Sequence, residues 1–147
     1  MGVLSDLGVS VDVPQGWDGR LYRRDGRERE RVVVHLSTAP LPSGRGDYGS
    51  GAVEQLSADD VLVALLEFEP SASEAQLFSG NIPTAIDGGA FSPRALQRIV
   101  PGQAGAQWFF STTGRAFCLY AVIGQLTQQR RLARLVHDAV RGITIEG

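Results

Sequence analysis

Short alternating runs of apolar and polar residues dominate the chain. Val9, Val11 and Val13 alternate with Ser10 and Asp12, so one side of an extended segment is apolar and the other wet. Pro14 ends that ladder for want of an N–H, Gly16 permits a turn, and Trp17 returns a large apolar group to the domain as a core anchor. Arg20–Leu36 reads as a hairpin turning at Asp25-Gly26. Its return strand runs through Arg27–Arg31 into Val32, Val33, Val34, His35 and Leu36, with the charged half standing out as a solvated ribbon. Val61–Phe68 is apolar on both faces and is stopped by Pro70. It reads as a central strand, although Ser57 and Asp60 mimic the capping box of a helix.

Further along, Ala95–Val100 is expected as a strand, and Ala106–Gly124 as a hairpin turning at Thr113-Gly114. On its return, Phe117, Leu119, Ala121 and Ile123 face one way, while Ala116, Cys118, Tyr120 and Val122 face the other. Both sets are apolar, which predicts a strand covered on both sides. Gln128–Arg141 carries Leu132, Leu135, Val136, Ala139 and Val140 on one helical face, and Gly142 supplies a stop. Ile143 and Ile145 form a short tail that suits a last strand. Thr38–Ser57, rich in proline and glycine, is a loop longer than usual, either functional or mobile. Ser71–Ser92 is irregular, with a helical turn near Glu74–Phe78. The order predicts one α+β domain over residues 1–147. Its mostly antiparallel sheet, of about six strands, is sandwiched by helices and carries a C-terminal amphipathic helix.

Composition narrows the chemistry. The 147 residues suffice for one core, and a net charge of −2 predicts no general affinity for nucleic acid or acidic membranes. All fourteen basic residues are arginine, which points to a GC-rich bacterial genome such as that of an actinobacterium. Lysine chemistry, from Schiff bases to phosphate-loop lysines, is thereby excluded. Cys118, the single cysteine, rules out an intrachain disulfide and a cysteine-based zinc site, and reads as a small buried hydrophobe. Residues 1–8 lack the pattern of an export signal and no apolar run reaches membrane length, so a cytoplasmic protein is the expectation.

Several constellations invite a functional reading. Gly44-Arg45-Gly46-Asp47-Tyr48-Gly49 matches a dinucleotide fingerprint by letter, but Pro40 and Pro42 separate it from a strand and no helix opens after it. Its Arg45-Gly46-Asp47 tripeptide resembles an adhesive motif by coincidence. Arg45 and Tyr48 remain candidates for partner contact, or, joined by the Glu67/Glu69 carboxylates, for a small enzyme or ligand site. His35 reads as a hydrogen-bonded rim residue. His137 has no orienting acid, because Asp138 beside it points about 100° away on a helix. Arg130, Arg134, His137 and Arg141 share one stripe opposite the apolar face. The stripe is either a solvated face, partly neutralised by Asp138, or a dock for a phosphate or an acidic partner. Trp108, Phe109, Phe110 and Phe117 read as core. No residue set points to a cofactor or a metal, and a non-enzymatic role is the expectation.

The segment Gly8-Val9-Ser10-Val11-Asp12-Val13-Pro14-Gln15-Gly16-Trp17, followed by a hairpin, resembles the opening of PsbP-like proteins. That fold is shared by photosystem PsbP proteins, Ran-binding Mog-type proteins, bacterial lipoproteins and secretion adaptor-chaperones. The resemblance implies an antiparallel sheet between helices and a non-catalytic protein- or peptide-binding role. A secretion adaptor of this kind would hold an apolar segment in an open groove on the sheet. No lipoprotein cysteine stands near the start, so the resemblance implies no membrane anchor.

Overall fold

A computed structural model describes residues 2–146. Eight strands and one helix form in the order β1 (Gly2–Asp6), β2 (Val9–Val13), β3 (Asp18–Arg24), β4 (Arg31–Ser37), β5 (Val61–Phe68), β6 (Ala104–Thr112), β7 (Arg115–Ile123), α1 (Gln129–Val140) and β8 (Ile143–Ile145). The class is α+β with every strand pair antiparallel. The expected single sheet is instead two: a three-stranded sheet ordered β1-β2-β8 and a five-stranded sheet ordered β3-β4-β5-β7-β6. The Val9–Val13 strand is therefore the middle of the small sheet and not part of the large one. Gly16 takes a positive φ, and Trp17 packs half-buried against the core as an anchor.

Turn chemistry explains the connections. The β1–β2 hairpin closes over Leu7 and Gly8, and β6–β7 over Thr113 and Gly114. Both residues of each pair have positive φ, as the twist of a tight hairpin requires. The β3–β4 connection differs from expectation. Arg24 pairs with Arg31, so the connection spans residues 25–30 and the charged segment Arg27–Glu30 lies outside the strand. Gly26 is used here for close packing, since a Cβ would lie 2.2 Å from the Arg29 carbonyl oxygen. The Glu69 carboxylate accepts from the Arg27 and Glu28 backbone N–H groups at 2.7 and 3.1 Å and holds the loop open. Residues 95–100 form no strand. Pro93–Ala95 make a 3-10 turn, with the Ser92 hydroxyl accepting from the Arg94 N–H, and Ile99 stands in solvent. The Ser57/Asp60 pair closes a turn that launches strand β5, not a helix.

The five-stranded sheet divides the interior into two cores. On one face Val34, Leu36, Val63, Leu65, Phe117, Leu119 and Ala121 meet α1 and the valines of β2. On the other, Val33, Leu62, Ala64, Leu66, Cys118, Tyr120 and Val122 meet Leu41, Tyr48, Ala52 and Val53 from the loop 38–57. The sheet is thus closed by a helix and a small sheet on one side and by irregular chain on the other. Strand β7 is buried along its whole length, as its two apolar faces require.

Candidate functional site

The amphipathic spacing of α1 drives Leu132, Ala133, Val136, Ala139 and Val140 into the first core, which turns Arg130, Arg134 and Arg141 outward. All three are exposed, and among the described residues none has a carboxylate within ion-pair distance. The expected neutralisation by Asp138 does not form, because two exposed, hydrated side chains gain little by closing. Arg131, which sequence reasoning passed over, pairs with Asp59 at 2.6 Å. Thr127, Gln128, Arg130, Arg131 and Arg134 line a shallow depression of about 250 Å³. The first turn of α1 carries no acid, and its N-cap residue Gln128 makes no side-chain cap. The positive end of the helix dipole is therefore reinforced by guanidinium groups. His137 is half-buried and borders a second depression of about 260 Å³ with Ile82, Pro83 and Arg141.

Arg45 and Tyr48 lie on the opposite side of the sheet, so they do not make one site with Arg130, Arg134, His137 and Arg141. Both are used internally. Arg45 Nε donates to His35 Nδ1 at 2.9 Å, and its Nη1 donates to the Pro42 carbonyl. His35 Nδ1 is thus an acceptor, which leaves Nε2 to donate to the Asp47 carbonyl at 2.7 Å. The ring is a neutral Nε2–H tautomer with no solvent exposure, in mid-strand and not at a rim. Burial first, and then the Arg45 charge, push its pKa below the ordinary 6.5, against the partial opposition of the Asp47 carbonyl. The Asp47 carboxylate accepts from Tyr22 Oη at 2.8 Å and pairs with Arg24. Burial and this bond push the Tyr22 hydroxyl pKa up.

The Arg45-Gly46-Asp47 tripeptide is therefore turned into the fold and not displayed. The glycines serve the loop's own turns, with Gly49 N–H donating to the Gly46 carbonyl and Gly46 N–H to the Ser50 carbonyl, both at 2.9 Å. Gly49, at φ +90, is needed because a Cβ there would meet Leu62 at 2.8 Å. Tyr48 packs edge-on against Tyr120.

Glu67 and Glu69 do not converge with this cluster. Glu67 stands opposite Phe117 on the α1 face, where Arg115 holds it. Glu69 serves the β3–β4 loop, and the two backbone N–H groups it accepts hold its pKa down. Arg45, Tyr48, Glu67 and Glu69 therefore do not converge on one site. The aromatic residues are core or packed on it, with Phe110 and Phe117 stacked and fully buried. Among the described residues no three His, Cys, Asp or Glu side chains gather as metal ligands, and no helix is long and apolar enough to cross a membrane. No family model, curated protein or solved structure matches the chain.

Proposed function

We propose that the chain is a non-catalytic binding domain that takes an acidic protein or peptide segment on the outer face of α1. The observation that carries this reading is the row Arg130, Arg134 and Arg141, exposed and, among the described residues, without carboxylate partners in a chain whose net charge is −2. Arginine forks suit carboxylates in bidentate geometry, and the uncapped first turn adds to the same field. The interior supports a binding role over a catalytic one: His35, Glu67 and Arg115 are committed to contacts within the fold. The PsbP-like kinship, on its opening motif and its C-terminal helix, belongs to this proposal, as does a bacterial cytoplasmic setting. The adaptor variant with an apolar groove on the sheet does not, because both faces of the central strands are covered.

The test is fluorescence anisotropy of a labelled Asp/Glu-rich peptide at low salt, against wild type and the triple variant Arg130→Glu, Arg134→Glu, Arg141→Glu. A control variant carries Arg27→Glu and Arg29→Glu on the exposed β3–β4 loop. The expected result is a loss of at least about tenfold in affinity for the triple variant alone. Equal binding by all three proteins, or none by wild type, overturns the reading.

A further inference from the structure

Beneath the loop 38–57 lies a cavity of about 30 Å³, bordered by Tyr48, Ser50, Gln103, Tyr120 and Val122 among others. Its polar lining is incomplete. Gln103 is 4% exposed, and its Nε2 donates to the Val53 carbonyl at 2.7 Å. A carbonyl only accepts, so this bond fixes which end of the amide is which. Oε1 is left as a buried acceptor that no donor reaches among the described residues. Tyr120 also lines the cavity, and its hydroxyl accepts from the Gln97 N–H at 2.8 Å and keeps its own proton to give.

Buried polar atoms in folded proteins are paired, either with protein or with ordered water. The cavity is large enough for one water, which needs roughly 10–15 Å³ of such space. It is far below the several hundred Å³ (about 300 or more) that organic ligands need. We propose that this cavity is a binding site for one structural water, which donates to Gln103 Oε1 and accepts from the Tyr120 hydroxyl. The water then joins three segments. Gln103 reaches Val53 in the long loop, Tyr120 belongs to β7, and Gln97 lies in the segment between Ala95 and β6. It is a rivet between the irregular cover and the sheet, which explains why a glutamine stands at a buried position just before β6.

Two measurements on the intact chain test the site. A high-resolution crystal structure of wild type should show a water peak within hydrogen-bond distance of Gln103 Oε1. Magnetic relaxation dispersion should count one fewer long-lived water in Val122→Leu, which fills the cavity and leaves Gln103 in place. Gln103→Met, which removes the acceptor at nearly constant length, should lose the same water. A dry cavity in the wild-type density, or a protein donor seated on Oε1, overturns the proposal. Equal counts of long-lived water in wild type and in a folded variant do so too. If neither variant folds, the wild-type density decides alone.

Discussion

Arg115 and Glu67 form a two-pronged ion pair inside the fold: Nε to Oε2 and Nη2 to Oε1, both at 2.9 Å. Their side chains are 2% and 0% exposed. Arg115 Nη1 also donates to the Glu146 carbonyl at 2.8 Å, and Glu67 Oε1 accepts from the Val32 N–H at 3.2 Å. One pair thus ties β4, β5 and β7 to the residue that follows β8, with the guanidinium 5.3 Å from the Phe117 ring. Removing one partner strands the other charge in the core. Glu67→Gln or Arg115→Met should each cost about 3–5 kcal/mol in urea unfolding, while Glu67→Leu combined with Arg115→Met should recover most of the loss. A single-site cost under about 1 kcal/mol would show that the pair behaves like a surface bridge.

The His35–Arg45 contact predicts an acid-sensitive stability. The folded pKa of His35 lies below 6.5, so the unfolded chain takes the proton first. Stability is then fully present above pH 6.5 and falls as the pH drops from there towards the folded pKa, by at most about 1.4 kcal/mol per pH unit. The groups facing the ring are Arg45, the Asp47 carbonyl and Tyr22, with Arg24 beyond them on the Asp47 carboxylate. Urea midpoints at pH 7.5, 6.5 and 5.5 measure the slope. His35→Gln keeps an acceptor for Arg45 and a donor for Asp47 without titrating, and should flatten it. An unchanged slope in that variant would assign the effect to other groups.

Thr113 sits at φ +52 although it is β-branched, and its side chain is exposed. Asparagine tolerates this backbone and is favoured before glycine in such a turn. Thr113→Asn should raise stability by about 0.5–1 kcal/mol in thermal melts. Gly114→Ala meets no atom, so its cost should be that of the backbone alone, about 1–2 kcal/mol. A larger loss would mean the hairpin register is set by this turn.

Burial pushes the Cys118 thiol up to about 12, with the Tyr48 hydroxyl beside it pulling the other way. Native protein at pH 8 should react with a thiol-specific disulfide reagent only when the loop cover opens, far more slowly than in denaturant, where it reacts fully. Rapid labelling of the native chain would show that the cover formed by the loop opens readily.

Strands and the helix were legible wherever periodicity ran long enough, as in Ala106–Gly124 and Gln128–Arg141. Strand β1 was not, because Leu7-Gly8 lacks the asparagine or aspartate that usually marks a tight turn, and half of Gly2–Asp6 alternates only weakly. The split into two sheets was also hidden, since pairing between β2 and β8 joins residues at opposite ends of the chain. Sequence patterning could place Arg130, Arg134 and Arg141 on one face, because helical spacing is local. It could not show that Arg45 is bound by His35, or that Glu67 meets Arg115 48 residues away.

The two sides of the large sheet are closed by different means. Behind α1 the cover is clamped to the sheet: the apolar face of the helix packs into the core of β5 and β7, and Arg115 of β7 donates to the Glu146 carbonyl beyond β8, so that side should unfold with the sheet. The cover formed by residues 38–57 is held by contacts such as Arg45 to His35, Gln103 to Val53 and Tyr22 to Asp47. It should therefore open as a separate unit. Amide exchange should resolve two free-energy levels: a lower one for the loop and a shared higher one for β5, β7 and α1. Mutations on the loop side would then change how often the second core is visited by solvent while leaving the global unfolding midpoint nearly in place.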